Sequence, residues 1–216
     1  MKKTKNSSDI KSDVMNIVLN ISKRLAKNQQ GALFIIADRE KIKGYYRPHY
    51  LQVQFLENLP TKGMDAVVEK LATLDGAVIL TPEGEMIAYG SRILKSETLL
   101  GFSTKHAAAR GITLFDESFT AVLVSEENGW IKVFQKGDIV LETDAVDIEP
   151  STLDKVSRFL TNHDMALLAG AGISVAAGIV SAPAVLIVDG LYGGENCRVG
   201  NFFCFKERKE VMRRSI

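Results

Sequence analysis

Val14, Ile17, Val18, Ile21 and Leu25 recur every three or four positions, with Lys and Asn residues between them. That spacing puts the apolar side chains on one face of a helix, predicted to end near Gln30 and Gly31 and to pack on a sheet. Residues 32–37 follow as a short, continuous apolar run whose length and β-branched and aromatic content favour a buried strand. Over 64–74, Ala66, Val67, Val68 and Leu71 alternate with Glu69 and Lys70 in a helical pattern that delivers the chain into Asp75. Residues 77–80 and 86–90 read as a hairpin around Pro82, Glu83 and Gly84. Residues 107–111 predict a short Ala-rich helix ending at Gly111, and 120–124 with 129–134 predict a second hairpin. Strands interleaved with helices make this an α/β fold, a mixed central β-sheet flanked by helices.

The pattern changes after residue 150, where a further helix is expected and then an apolar stretch. Residues 165–188 contain no charged side chain, are rich in Gly and Ala, and would cross a hydrocarbon core of about 30 Å as one helix. Lys206, Arg208, Lys209, Arg213 and Arg214 follow, and a single crossing would separate this basic tail from the domain before it. A hairpin turning near Pro183 removes that conflict, as does a buried pair of glycine-rich helices in a soluble protein. Both membrane contact through 165–188 and burial therefore remain open.

Composition narrows the classes. With 27 Lys+Arg against 26 Asp+Glu the formal charge is +1, so no nucleic-acid partner is expected. Cys197 and Cys204 have no neighbouring His pair and fit neither a disulfide framework nor a zinc signature. The Lys- and Ser-rich first 13 residues lack the apolar core of a secretory signal, so a cytoplasmic domain is expected.

Three polar-tipped segments each abut a strand-like run: 74–77, 103–111 and 125–129. In the first, Asp75 offers a metal-binding carboxylate, and Gly76 and Ala77 leave space for another molecule to approach the backbone. In the second, Thr104, Lys105 and His106 are expected as the last loop residues before the helix. Their side chains and the free first-turn N–H groups would converge on an anion such as a triphosphate. In the third, Ser125 and Glu126 end a strand, and Glu126 is a candidate second metal ligand. His49 and His163 show no partner in the sequence and are expected on the surface.

These segments, in this order, resemble the diadenylate cyclase family, whose hallmarks are an Asp-Gly-Ala motif and a downstream Arg-His-Arg followed by Ala-Ala. Here Lys105 stands at the first Arg, His106 is kept and Ala107 stands at the second Arg; Ala108, Ala109, Gly111 and residues 124–129 fit the pattern. The resemblance covers roughly residues 31–137 and implies a division into a polar lead and helix (1–30), a catalytic domain (31–150) and a C-terminal part (151–216). It implies that two ATP molecules meet at the face-to-face contact of a homodimer or within a higher homo-oligomer. Each 3′-hydroxyl would attack the α-phosphate of the other, giving cyclic di-AMP and pyrophosphate with Mn2+ or Mg2+ as cofactor. Asp75 and His106 would be catalytic, Asp75 and Glu126 would hold metal, and Gly76, Ala77, Leu94, Thr104, Lys105, Arg110 and Ser125 would bind nucleotide. Ile93 joins Leu94 as a candidate wall of the adenine site, and Arg110 is placed to replace the charge lost at Ala107. The alternatives are a catalytically degenerate nucleotide sensor on the same fold and a membrane-associated scaffold.

Overall fold

The computed structural model describes residues 6–97, 103–144 and 150–162, with two short strands at 174–176 and 185–188. Its centre is β1 (Ala32–Ile36), every residue of which is buried. β1 pairs in parallel with β3 (Ala77–Leu80) and antiparallel with β5 (Thr120–Val124), which makes the sheet mixed. On one side β3 continues to β4 (Met86–Ile93) and then β2 (Tyr46–Pro48); on the other, β5 continues to β6 (Trp130–Gln135) and β7 (Asp138–Asp144).

Strand alternation divides the core in two. Ala32, Phe34 and Ile36 face a cluster built from α1 (Ser7–Lys27), α3 (Met64–Ala72) and α5 (Pro150–Asn162). Leu33 and Ile35 face the opposite cluster, where Ala109 and Ile112 of α4 (Thr104–Phe115) pack. The helices and sheet thus form three layers, with α4 alone among the long described helices on its side. The α1 face that carries Val14, Val18, Ile21 and Leu25 is fully buried, and Arg24 beside it reaches Glu69 (2.6 Å) and Asp65 (3.2 Å) of α3.

The predicted mixed α/β sheet is therefore present, with strands and helices where the strongest periodicities placed them. The differences are local. α1 begins at Ser7, ahead of the first apolar residue of the stripe. A short α2 (Arg39–Ile42), capped by Asp38 accepting from the Glu40 and Lys41 N–H groups, the edge strand β2 and the outer strand β7 carried no clear period. α4 starts at Thr104 and runs through Gly111 to Phe115, so Gly111 does not end it.

Most of the apolar stretch 165–188 lies outside the described residues, as do His163, both cysteines and the basic tail. Within it, β8 (Ser174–Ala176) and β9 (Val185–Val188) pair antiparallel, and β9 runs parallel to β7. Among the described residues no helix is long and apolar enough to cross a membrane.

Candidate functional site

Asp75 leaves α3 through Thr73, whose hydroxyl donates to the Lys70 carbonyl (2.8 Å), and sits exposed just before β3. Gly76 has φ +108°, and a Cβ there would lie 2.5 Å from the Ser91 nitrogen and 2.6 Å from the Gly90 carbonyl carbon. No other residue fits, because both the left-handed φ and the approach of β4 exclude a side chain. The space a side chain would take at Gly76 is thus filled by the β4 backbone, while Gly76 itself still borders the cleft described below. Gly76 serves the close β3–β4 approach and thereby fixes Asp75 just ahead of the first residue of β3.

Ser103 is the N-cap of α4, and Thr104, Lys105 and His106 form its first turn rather than the loop before it. This correction strengthens the anion argument, since first-turn N–H groups have no intrahelical acceptor. The Ser103 hydroxyl and His106 Nδ1 are 2.9 Å apart, an N-cap to N3 contact that holds the turn. The His106 pKa is lowered, first by burial and then by the Lys132 ammonium, with Glu142 and Glu127 opposing. Phe134 packs edge-on to its ring at 6.2 Å.

The cations of this turn are partly committed. Lys105 Nζ lies 3.1 Å from Glu126 Oε1, and Glu126 in turn covers Gly31, where a Cβ would come within 2.4 Å of Glu126 Cγ. Arg110 Nε is 3.5 Å from Glu97 Oε2. Arg110, expected to replace the charge missing at Ala107, lines neither of the cavities around the helix terminus. The reason is the path after β4. A Cβ on Gly111 would lie 2.6 Å from Ser96 Cα, so this segment runs directly against α4 and brings Glu97 to the arginine.

Two adjoining cavities open around the first turn of α4. One, of about 550 Å³, is lined by Asp75, Gly76, Ala77, Leu94, Thr104 and Lys105 from the predicted set, together with Ile93, Ser96 and Ala107. The other, of about 410 Å³, is lined by Thr104, Lys105, His106, Ser125 and Glu126, with Glu127, Asn128 and Lys132. Ser103, Thr104 and Lys105 border both. Both volumes are in the range of small-molecule sites. The fold thus brings every predicted site residue except Arg110 to one of two connected clefts.

Asp75 and Glu126 line different cavities, and no group of three His, Cys, Asp or Glu side chains among the described residues is arranged to hold a metal. Sequence reasoning missed Ser103, Lys132, Arg92 and His49, although His49 is exposed as expected. A Ser before an Ala-rich helix is a readable N-cap signal. Arg92 reaches the Asp75 cavity only because the β4 hairpin folds past Gly76.

A mixed α/β sheet that sets a carboxylate and a helix N-terminus around one cleft has the make-up of a nucleotide-binding domain. Residues 20–139, more than half of the chain, match the family described as DisA bacterial checkpoint controller nucleotide-binding, and the chain belongs to that family. A diadenylate cyclase from Haloferax volcanii is 29% identical over 141 residues, covering 61% of this chain and 51% of that protein. A diadenylate cyclase from Methanocaldococcus jannaschii is 29% identical over 119 residues, covering 53% of this chain and 38% of the relative. The chain therefore spans about half or less of the length of these relatives. Among solved structures, DacA from Staphylococcus aureus superposes with a TM-score of 0.49 at 23% identity, covering 67% of this chain and 92% of that one.

Proposed function

We propose that the protein is a diadenylate cyclase, condensing two ATP molecules into cyclic di-AMP and two pyrophosphates where two subunits meet. The observation that carries this reading is the placement of Asp75 and the first turn of α4 around one cavity of about 550 Å³. Family membership and the two curated relatives support it.

In this reading adenosine lies against Ile93, Leu94 and the Ala77 end of β3, and the phosphates run over the α4 N-terminus toward Ser125. The 3′-oxygen of one ATP attacks the α-phosphorus of the other; the bond to the β-phosphate breaks, pyrophosphate leaves, and the hydroxyl proton is released. The 3′-oxygen of the second nucleotide then attacks the α-phosphorus of the first, which releases the second pyrophosphate and proton and closes the ring. Asp75 accepts the hydroxyl hydrogen and favours its loss. Thr104 and the first-turn amides hold phosphate oxygens, and Lys105 supplies charge as pyrophosphate departs. His106, kept neutral by its surroundings, is a positioning residue that fixes Ser103 and the turn.

One carboxylate in the cleft suits a cation completed by phosphate oxygens, a common arrangement for Mg2+. Mn2+ or Mg2+ held there by Asp75 would offset phosphate charge and acidify the attacking hydroxyl. Glu126 is a weaker candidate, because Lys105 already neutralises it.

The test is incubation of purified protein with ATP and Mn2+ or Mg2+, with chromatographic detection of cyclic di-AMP, beside Asp75→Asn. Product that disappears in the variant is expected. A second reading, a nucleotide sensor without turnover, is favoured by the commitment of Lys105 to Glu126 and of Arg110 to Glu97 and by the missing charge at Ala107. ATP binding by folded protein with neither metal yielding product would establish that reading instead.

A further inference from the structure

The Asp75 cavity contains a cation that no sequence motif indicates. Arg92 lies on β4 directly opposite Arg47 of β2, in an antiparallel register that also pairs Tyr46 with Ile93. Like charges directly opposite one another destabilise a strand pair. Among the described residues neither guanidinium has a carboxylate within ion-pair distance, so solvent alone screens the repulsion. Both side chains are exposed, and Arg92 borders the cavity together with His49. The acid that shares this cavity, Asp75, makes no ion pair with Arg92 either, so two opposite charges line one cleft without neutralising each other. Opposite them, Ala107 contributes no charge and Lys105 is held by Glu126 at 3.1 Å.

We propose that Arg92, backed by Arg47 and His49, is an anion site on the β2–β4 edge that binds a phosphate group of the nucleotide and replaces the guanidinium absent at Ala107. An arginine fork matches two phosphate oxygens at once, which an ammonium cannot do. A phosphate bound there removes the Arg47–Arg92 repulsion, so stability given up in the empty strand pair returns as binding. The site rests on the nucleotide reading of the cleft, but its chemistry is tested without nucleotide turnover.

The experiment is equilibrium binding of inorganic tripolyphosphate, ATP and adenosine to the full chain and to Arg92→Gln, Arg92→Lys and Arg47→Gln. Arg92→Gln is expected to weaken tripolyphosphate and ATP by about tenfold or more, the scale of a charged hydrogen bond, and to leave adenosine unchanged. Arg92→Lys should fall between, and Arg47→Gln should show the smaller loss. The thermal midpoint of Arg92→Gln without ligand should equal or exceed that of the wild type, and a lower one would count against the like-charge argument. Three binding results would overturn the inference: tripolyphosphate affinity unaltered by Arg92→Gln, an equal loss for adenosine, or no tripolyphosphate binding by the wild type. ATP binding that is unaffected by Arg92→Gln overturns this site alone and leaves the nucleotide reading intact. Arg92-dependent binding of tripolyphosphate and ATP without cyclic di-AMP formation keeps this site and overturns the cyclase reading alone, in favour of the nucleotide sensor.

Discussion

Lys105 is restrained before any phosphate arrives. Its contact with Glu126 joins two partly exposed side chains, and such pairs contribute only about 0.2–1 kcal/mol. Glu126→Gln should therefore release the ammonium and tighten ATP binding by roughly two- to fivefold, measured by titration calorimetry; weaker binding would give Glu126 a direct role with the ligand. His106 carries a pH signature. Its lowered pKa means that below the ordinary histidine value of about 6.5 the unfolded chain binds more protons than the folded one. The contribution is complete above that value and is lost as pH falls through it toward the lower folded value. Thermal midpoints taken between about pH 7.5 and pH 5.5 should fall further for the wild type than for His106→Gln, and parallel curves would refute the assignment. The residue types around Asp75 and His106 were legible because they lie in contiguous motifs. Arg92 was not, since its partner on β2 is 45 positions away and the pairing register is not local information.

At the scale of elements, Gly111 separates a local rule from a tertiary one. Glycine after an apolar run reads as a helix end, yet α4 continues four residues beyond it. Helix propensity alone would make Gly111→Ala stabilising by about 1 kcal/mol. The new Cβ would meet the backbone at Ser96 and Glu97 at 2.6 and 2.7 Å, and backbone cannot yield as a side-chain tip can. Overpacking should win, with a net loss of about 1–3 kcal/mol in urea denaturation; a more stable variant would show that the segment after β4 is free to move. The helices and inner strands were predictable because a continuous stripe or an unbroken apolar run survives in the sequence. β7 was not, because its charged residues Asp138, Glu142 and Asp144 are interspersed on a half-exposed strand near the sheet edge.

For the whole molecule, the central fact is that β1 has a parallel neighbour on one side and an antiparallel one on the other. That order carries the Asp75 turn and the α4 N-terminus to one cleft, while α1, α3 and α5 cover the opposite face. The proposed reaction joins two nucleotides held by two subunits, so specific activity should fall as the protein is diluted through its dimer dissociation constant. Activity independent of concentration over several decades, with a monomer in sedimentation, would rule out the shared site. By itself the sequence determined the α/β class, the inner strands and helices, and the motifs of the site, because periodicity and motif spacing are properties of neighbouring residues. Only the tertiary structure decided that Gly76 makes room for β4, that Arg110 turns to Glu97, and that Arg92 enters the cleft. Each of those depends on which distant backbone lies within a few ångströms, and that is set by strand order and register rather than by any local pattern.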